Sequence, residues 1–132
     1  TWSDGGLFSL RQPWPEILTE IFEARFGTGV ATDSYTVTVE SVSVNDISFT
    51  GPGQYTLTGG TIKFAFPGLG GQDSVTVASG AKAVINSVLD GSSTNGDIVF
   101  LGGGTLELGN ANTFNSNDVL WLQNISVIAH SS

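Results

Sequence analysis

The chain is 132 residues long, the size of one domain and enough to bury about two-thirds of its unfolded surface without metal or disulfide support. It holds 18 glycines but no cysteine and no methionine, which excludes a disulfide framework, a thiolate zinc site and a thiol nucleophile. A formal net charge of −8, twelve acids against Arg11, Arg25, Lys63 and Lys82, opposes binding to nucleic acid or to anionic lipid headgroups.

No apolar run approaches the roughly 20 residues needed to cross a bilayer, so no membrane insertion is expected of this segment. Thr1 opens with neither a basic n-region nor an apolar h-region, as expected of a mature or excised segment. The lack of cysteine beside abundant Gly, Ser, Thr and Asn points to a secreted or cell-surface bacterial protein more than to a cytosolic enzyme.

A single domain over residues 1–132 is expected, with a cap segment over 1–30 and a β region over 31–132. Within the cap, Pro15 to Phe26 places Ile17, Leu18, Ile21, Phe22 and Phe26 at helical spacing. Pro15 suits a first helical position, Glu16 and Arg25 match the two ends of the dipole, and Gly27 suits the residue after the helix. The spacing predicts one short amphipathic helix, covering an end of a β core or docking a partner.

From Tyr35 the hydrophobic period becomes two. Tyr35, Val37 and Val39 alternate, as do Tyr55 and Leu57, Val75 and Val77, Ile98 and Phe100, Leu106 and Leu108, and Leu120 and Leu122. Short breaks rich in Gly, Asn, Asp and Ser separate these runs at 50–53, 58–60, 67–73, 90–97 and 102–104. The region is all-β.

Val37 to Leu57, Leu57 to Val77, Val77 to Phe100 and Phe100 to Leu122 give a recurrence of 20 to 23 residues, the length of one solenoid coil. The corners "TGG" (58–60), "SGA" (79–81) and "GGG" (102–104) are expected at one phase of the repeat, because stacked coils turn in the same place. The expected fold is a parallel β-helix of about five coils. The same alternation also suits an antiparallel β-sandwich or jelly roll.

"TLTGGTIKF", "VTVASGAKAVINSVLDGS" and "GGGTLELGNANTF" resemble the passenger-associated repeat of bacterial autotransporters and related surface proteins, in which a Gly-Gly-Thr-Leu strand precedes a turn ending in an aromatic. The opening "TW", "FG" at 26–27, "VTV" at 37–39 and "VNDISF" at 44–49 extend the likeness over about residues 26 to 114. The resemblance implies a right-handed parallel β-helix on the outside of a bacterium, serving as stalk, adhesin or matrix element. "PWPEILTEIFEARF" and the run after Phe114 depart from that pattern, as expected of a module whose ends contact neighbours.

Groups for catalysis are sparse. His130 lies next to the C-terminus, and Asp33, Asp46, Asp73, Asp90, Asp97 and Asp118 fall singly, in places that read as turns. A carboxylate pair would need Asp90 with Asp97, or Glu40 with Glu107 across facing coils. Neither makes a convergent site, so a noncatalytic protein without a cofactor is expected. Side-chain oxygens from Asp90 to Asp97 offer hard ligands to calcium, but the glycine spacing is not that of an EF-hand, and a polar turn is the simpler reading.

A β-helix leaves unpaired strand edges at its two ends, and these must be covered or they pair with another chain. Val119 to Ile128 reads as a long strand-forming run without Gly or Pro. The residues expected at a self-association contact are Trp2, Trp14, Ile17, Ile21 and Phe22 at one end, with Val119, Trp121, Ile125 and Val127 at the other. The expected partner is a homopolymer or a neighbouring repeat of the same surface assembly, joined end to end into a fibre or layer. The other reading is a carbohydrate-binding adhesin or stalk module, with glycan stacked on Trp121.

Overall fold

The computed structural model describes residues 23–27, 33–64, 72–91, 97–114 and 119–130. They form a parallel β-solenoid of four three-strand coils and two strands of a fifth. The first coil is β1 (Glu23–Phe26), β2 (Ser34–Thr38) and β3 (Val42–Val44); the second is β4 (Asp46–Phe49), β5 (Gly53–Thr58) and β6 (Thr61–Phe64). The third is β7 (Gln72–Val77), β8 (Ala81–Ile85) and β9 (Val88–Gly91), and the fourth is β10 (Asp97–Leu101), β11 (Thr105–Leu108) and β12 (Thr113–Phe114). Then β13 (Leu120–Gln123) and β14 (Ser126–Ala129) begin the fifth.

Stacking produces three sheets: β1-β4-β7-β10-β13 (sheet A), β2-β5-β8-β11-β14 (sheet B) and β3-β6-β9-β12 (sheet C). Every pairing among the described strands is parallel, which removes the antiparallel sandwich or jelly roll. Alternate residues of each strand point inward and stack as columns. Tyr35, Tyr55, Ala83, Leu106 and Val127 form one column on sheet B. Ala24, Ile47, Val75, Phe100 and Leu122 form another on sheet A. Phe49 is fully buried, with Phe26 stacked on it at 5.1 Å and Tyr55 tilted against it at 5.6 Å.

The helix expected up to Phe26 is not formed at its described end. Glu23–Phe26 is strand β1, paired with β4. Ala24 and Phe26 alternate with exposed or half-exposed neighbours and lock into the columns of Ile47 and Phe49, and that pairing outweighs the helical spacing of residues before it. Residues 15–22 of that expectation lie outside the described residues, which contain no helix. The solenoid accordingly begins by Glu23, inside the segment read as a cap over 1–30.

The recurrence is less even than 20 to 23. Val37 does lie beside Leu57 and Phe100 beside Leu122, but Leu57 lies beside Ile85, 28 residues on, and Val77 beside Phe49. The extra residues enter between Phe64 at the end of β6 and Gln72 at the start of β7, and the strand stacking on either side keeps its register. The corners are also of two kinds. "SGA" and "GGG" both turn from sheet A to sheet B, whereas "TGG" turns from sheet B to sheet C. Gly102 holds the first kind with φ 109°, and a Cβ there would run into the Val77 carbonyl of the coil below.

Candidate functional site

The fifth coil exposes what the inner coils hide. In the fifth coil, Leu120 and Leu122 stand in register with the buried Ile98 and Phe100, yet they are 40% and 59% exposed. Among the described residues no strand lies beyond them. Trp121 shares the outward column with Val99, as the alternation predicts, and is 47% exposed. Val119 is exposed, while Ile125 and Val127 are half-buried against the core. Ile128, on the outward side beside Glu107, is exposed too.

The run Val119 to Ile128 is two strands and not one. Asn124, with φ 55°, makes the corner from sheet A to sheet B at the place where Gly102 makes it one coil earlier. Asn tolerates that left-handed backbone because its short polar side chain is compatible with it.

The backbone defines which groups point away from the neighbouring described strand. Ser126 N–H donates to the Gly104 carbonyl at 3.2 Å and His130 N–H to that of Leu108 at 2.9 Å. Successive residues of a strand turn their N–H and C=O to opposite sides, so Val127 and Ala129 present theirs to the open edge. At the other end of sheet B, Gln54 N–H donates to Asp33 C=O at 3.0 Å and Val39 N–H to Thr58 C=O at 2.7 Å. By the same alternation, Ser34, Thr36 and Thr38 present their backbone groups away from β5.

Polar side chains bind coil to coil on the outside. On sheet A, Ser48 Oγ donates to Glu23 Oε1 at 2.6 Å, and Ser74 Oγ donates to Asp46 Oδ1 at 2.7 Å. Asp97 accepts from Val119 N–H at 3.1 Å and from the Trp121 indole N–H at 2.8 Å, which fixes the exposed ring. Burial would raise the Glu23 carboxyl, but hydrogen bonds from Arg25 and Ser48 and the Arg25 charge outweigh it and hold the group below its ordinary value. On sheet B, Glu107 joins Lys82 at 3.1 Å and His130 at 2.7 Å. The hydrogen bond from Lys82, then that from His130, lowers the Glu107 carboxyl.

The candidate pairs do not converge. Glu107 shares its column with Val84, Thr56 and Thr36, three coil steps or about 14 Å from the first coil, where Glu40 follows β2. Asp90 lies on sheet C and Asp97 on sheet A. The candidate calcium loop between them falls at 92–96, outside the described residues. Among the described residues no group of three His, Cys, Asp or Glu is placed to hold a metal. The aspartates read as turn residues are partly strand residues: Asp46, Asp73, Asp90 and Asp97 lie in β4, β7, β9 and β10, with Asp73 fully buried beside Ile98. Asp118 lies outside the described residues.

Of the residues expected at a contact surface, Val119, Trp121, Ile125 and Val127 all lie on the fifth coil, Trp121 on its outward side and Ile125 and Val127 against the core. Trp2, Trp14, Ile17, Ile21 and Phe22 lie outside the described residues. Sequence reasoning missed the Lys82–Glu107–His130 cluster, whose members meet only because adjacent coils place them side by side. Set against known protein families, curated proteins and solved structures, the chain has no match.

Proposed function

We propose that the chain is a noncatalytic structural module of the bacterial exterior, secreted or held at the cell surface, that assembles end to end by strand addition into a fibre or layer. The observation that carries this reading is the fifth coil, whose inward residues Leu120 and Leu122 remain 40% and 59% exposed above a sealed core. An unpaired edge beside exposed apolar residues recruits a further strand. The partner is another copy or a neighbouring repeat of the same assembly, without a cofactor. The resemblance to the autotransporter passenger-associated repeat fits this role, and right-handed winding follows the strong preference of parallel crossovers.

Electron microscopy of the purified chain beside an Ala129→Pro variant tests the reading. Proline at 129 removes an N–H that faces the open edge and leaves the bonds of Ser126 and His130 to β11. Filaments or sheets are expected from the parent, and monomers with unchanged β circular dichroism from the variant. A parent that stays monomeric at high concentration overturns the proposal.

A second reading rests on Trp121, 47% exposed and held by Asp97. A ring fixed in that way offers a stacking face for a sugar in a carbohydrate-binding adhesin or stalk. Glycan binding that Trp121→Ala abolishes would favour it, and a negative broad glycan array would count against it.

A further inference from the structure

Among the described residues, both edge strands of sheet B lack the devices that normally keep an edge from pairing. Edge strands are usually blunted by charge, proline or a bulge. β2 reads Ser-Tyr-Thr-Val-Thr and β14 reads Ser-Val-Ile-Ala, without a charge, a proline or a glycine in either. By contrast β1, at the first edge of sheet A, carries Glu23 and Arg25, and its inward residues Ala24 and Phe26 are 6% and 2% exposed. Among the described residues, sheet B therefore has such an edge on both sides, at β2 and at β14, whereas sheet A has one at β13 alone.

We infer that the partner at the C-terminal edge is β2 of a second copy of this chain, with β14 adding to it in parallel and Val127 beside Tyr35. The inference rests on the assembly reading above and names the seam and its register.

Backbone parity supports this register. In a parallel ladder, a residue facing the partner strand bonds to the two neighbours of the residue opposite it. The protein's own β11–β14 pair does so: Ser126 lies opposite Thr105 and donates to Gly104. At the seam, Val127 faces outward and Tyr35 faces inward toward β5, so Val127 N–H meets the Ser34 carbonyl and the Thr36 N–H meets the Val127 carbonyl. A slip by one residue sets both strands out of phase and turns the apolar column outward.

Side chains agree with the backbone. The column Tyr35, Tyr55, Ala83, Leu106, Val127 would continue with Tyr35 of the next copy, and the column Val37, Leu57, Ile85, Leu108, Ala129 with its Val37. Tyr35, Val37 and Val127 are half-buried against the core in the single chain. On the outward side, Ser126 and Ile128 meet Ser34 and Thr36, with no like charges opposed. Because the two surfaces differ, the joint repeats without closing and the product is a filament.

The absence of native cysteine permits a direct test. Residues opposite each other in adjacent strands lie about 4.8 Å apart, within disulfide reach. The double variant Ser34→Cys/Ser126→Cys, oxidised with diamide, is expected to give a ladder of covalent oligomers on a non-reducing gel. A mixture of the two single variants should stop at a covalent dimer holding one of each. Dimers from Ser126→Cys alone would mean tail-to-tail pairing and overturn the inference. Filaments by microscopy without the ladder would overturn the seam while leaving assembly standing. Neither filaments nor ladder would end both.

Discussion

Among the described residues, the first and fifth coils are the two ends of one column of strands, yet they treat their inward residues in opposite ways. Ala24 and Phe26 of β1 are 6% and 2% exposed, while Leu120 and Leu122 of β13 are 40% and 59% exposed. Hydrophobic content does not account for the contrast, since the leucines are the more apolar pair. Shielding does: among the described residues β1 and β13 each have a paired strand on one side only, yet Ala24 and Phe26 are enclosed while Leu120 and Leu122 are open to water. An apolar residue contributes to stability in proportion to the surface it loses, so the same residue type is structural in one coil and available for contact in the other.

The contrast is broken most severely by emptying the middle of the core. Phe49→Ala is expected to cost about 3–5 kcal/mol, read as a lower denaturant midpoint, because Phe26 and Tyr55 both lose their stacking partner. Leu122→Ala in the fifth coil should cost under about 1 kcal/mol, since much of that side chain is already in water. Equal losses at the two sites would mean that the fifth coil is as well packed as the second.

A pair of corner substitutions sharpens the comparison at the backbone. Gly102→Ala is expected to destabilise by about 2–4 kcal/mol in thermal unfolding, from positive φ and collision with the Val77 carbonyl. Asn124→Gly, at the equivalent corner of the last coil, should change stability by less than about 1 kcal/mol and leave the turn intact. Smaller still is Trp121→Phe, which removes the hydrogen bond to Asp97 and is expected to cost roughly 0.5–1 kcal/mol. Its clearest signature is loss of one tryptophan contribution from the fluorescence unfolding trace.

The last effect is pH-dependent. Glu107 has a carboxyl lowered from 4.5 by Lys82 and His130, so it binds a proton less readily folded than unfolded. The stability it contributes is complete above its unfolded value and is lost as pH falls from about 4.5 through the lowered folded value. Glu107→Gln should flatten acid unfolding in that window. A variant with the parent's acid curve would show that the Lys82–Glu107–His130 cluster does not tie the fifth coil to the body.

Much of the coil stacking was legible in the alternation of apolar residues. The pairings of Val37 with Leu57 and of Phe100 with Leu122 follow from it, as does the outward place of Trp121. Period alone misplaced Leu57 against Val77, because a run of apolar residues does not say which sheet it belongs to when a corner lengthens. It also misread Glu23 to Phe26, where a partner strand decides between two compatible spacings. The last coil was legible at Val119, Trp121, Ile125 and Val127 as a strand-forming run. The break at Asn124 and the grip of Asp97 on Trp121 depend on register, which a linear pattern does not carry.

The uneven coil length has a consequence for how such a protein changes. From the first coil to the second, sheet B advances 20 residues, and from the second to the third 28, yet the columns continue without a missed step. Closing a flexible loop of twice the length costs only about 0.6 kcal/mol more. Sequence added between Phe64 and Gln72 would thus leave the columns in register, which makes that join a natural port for a tag or a grafted peptide.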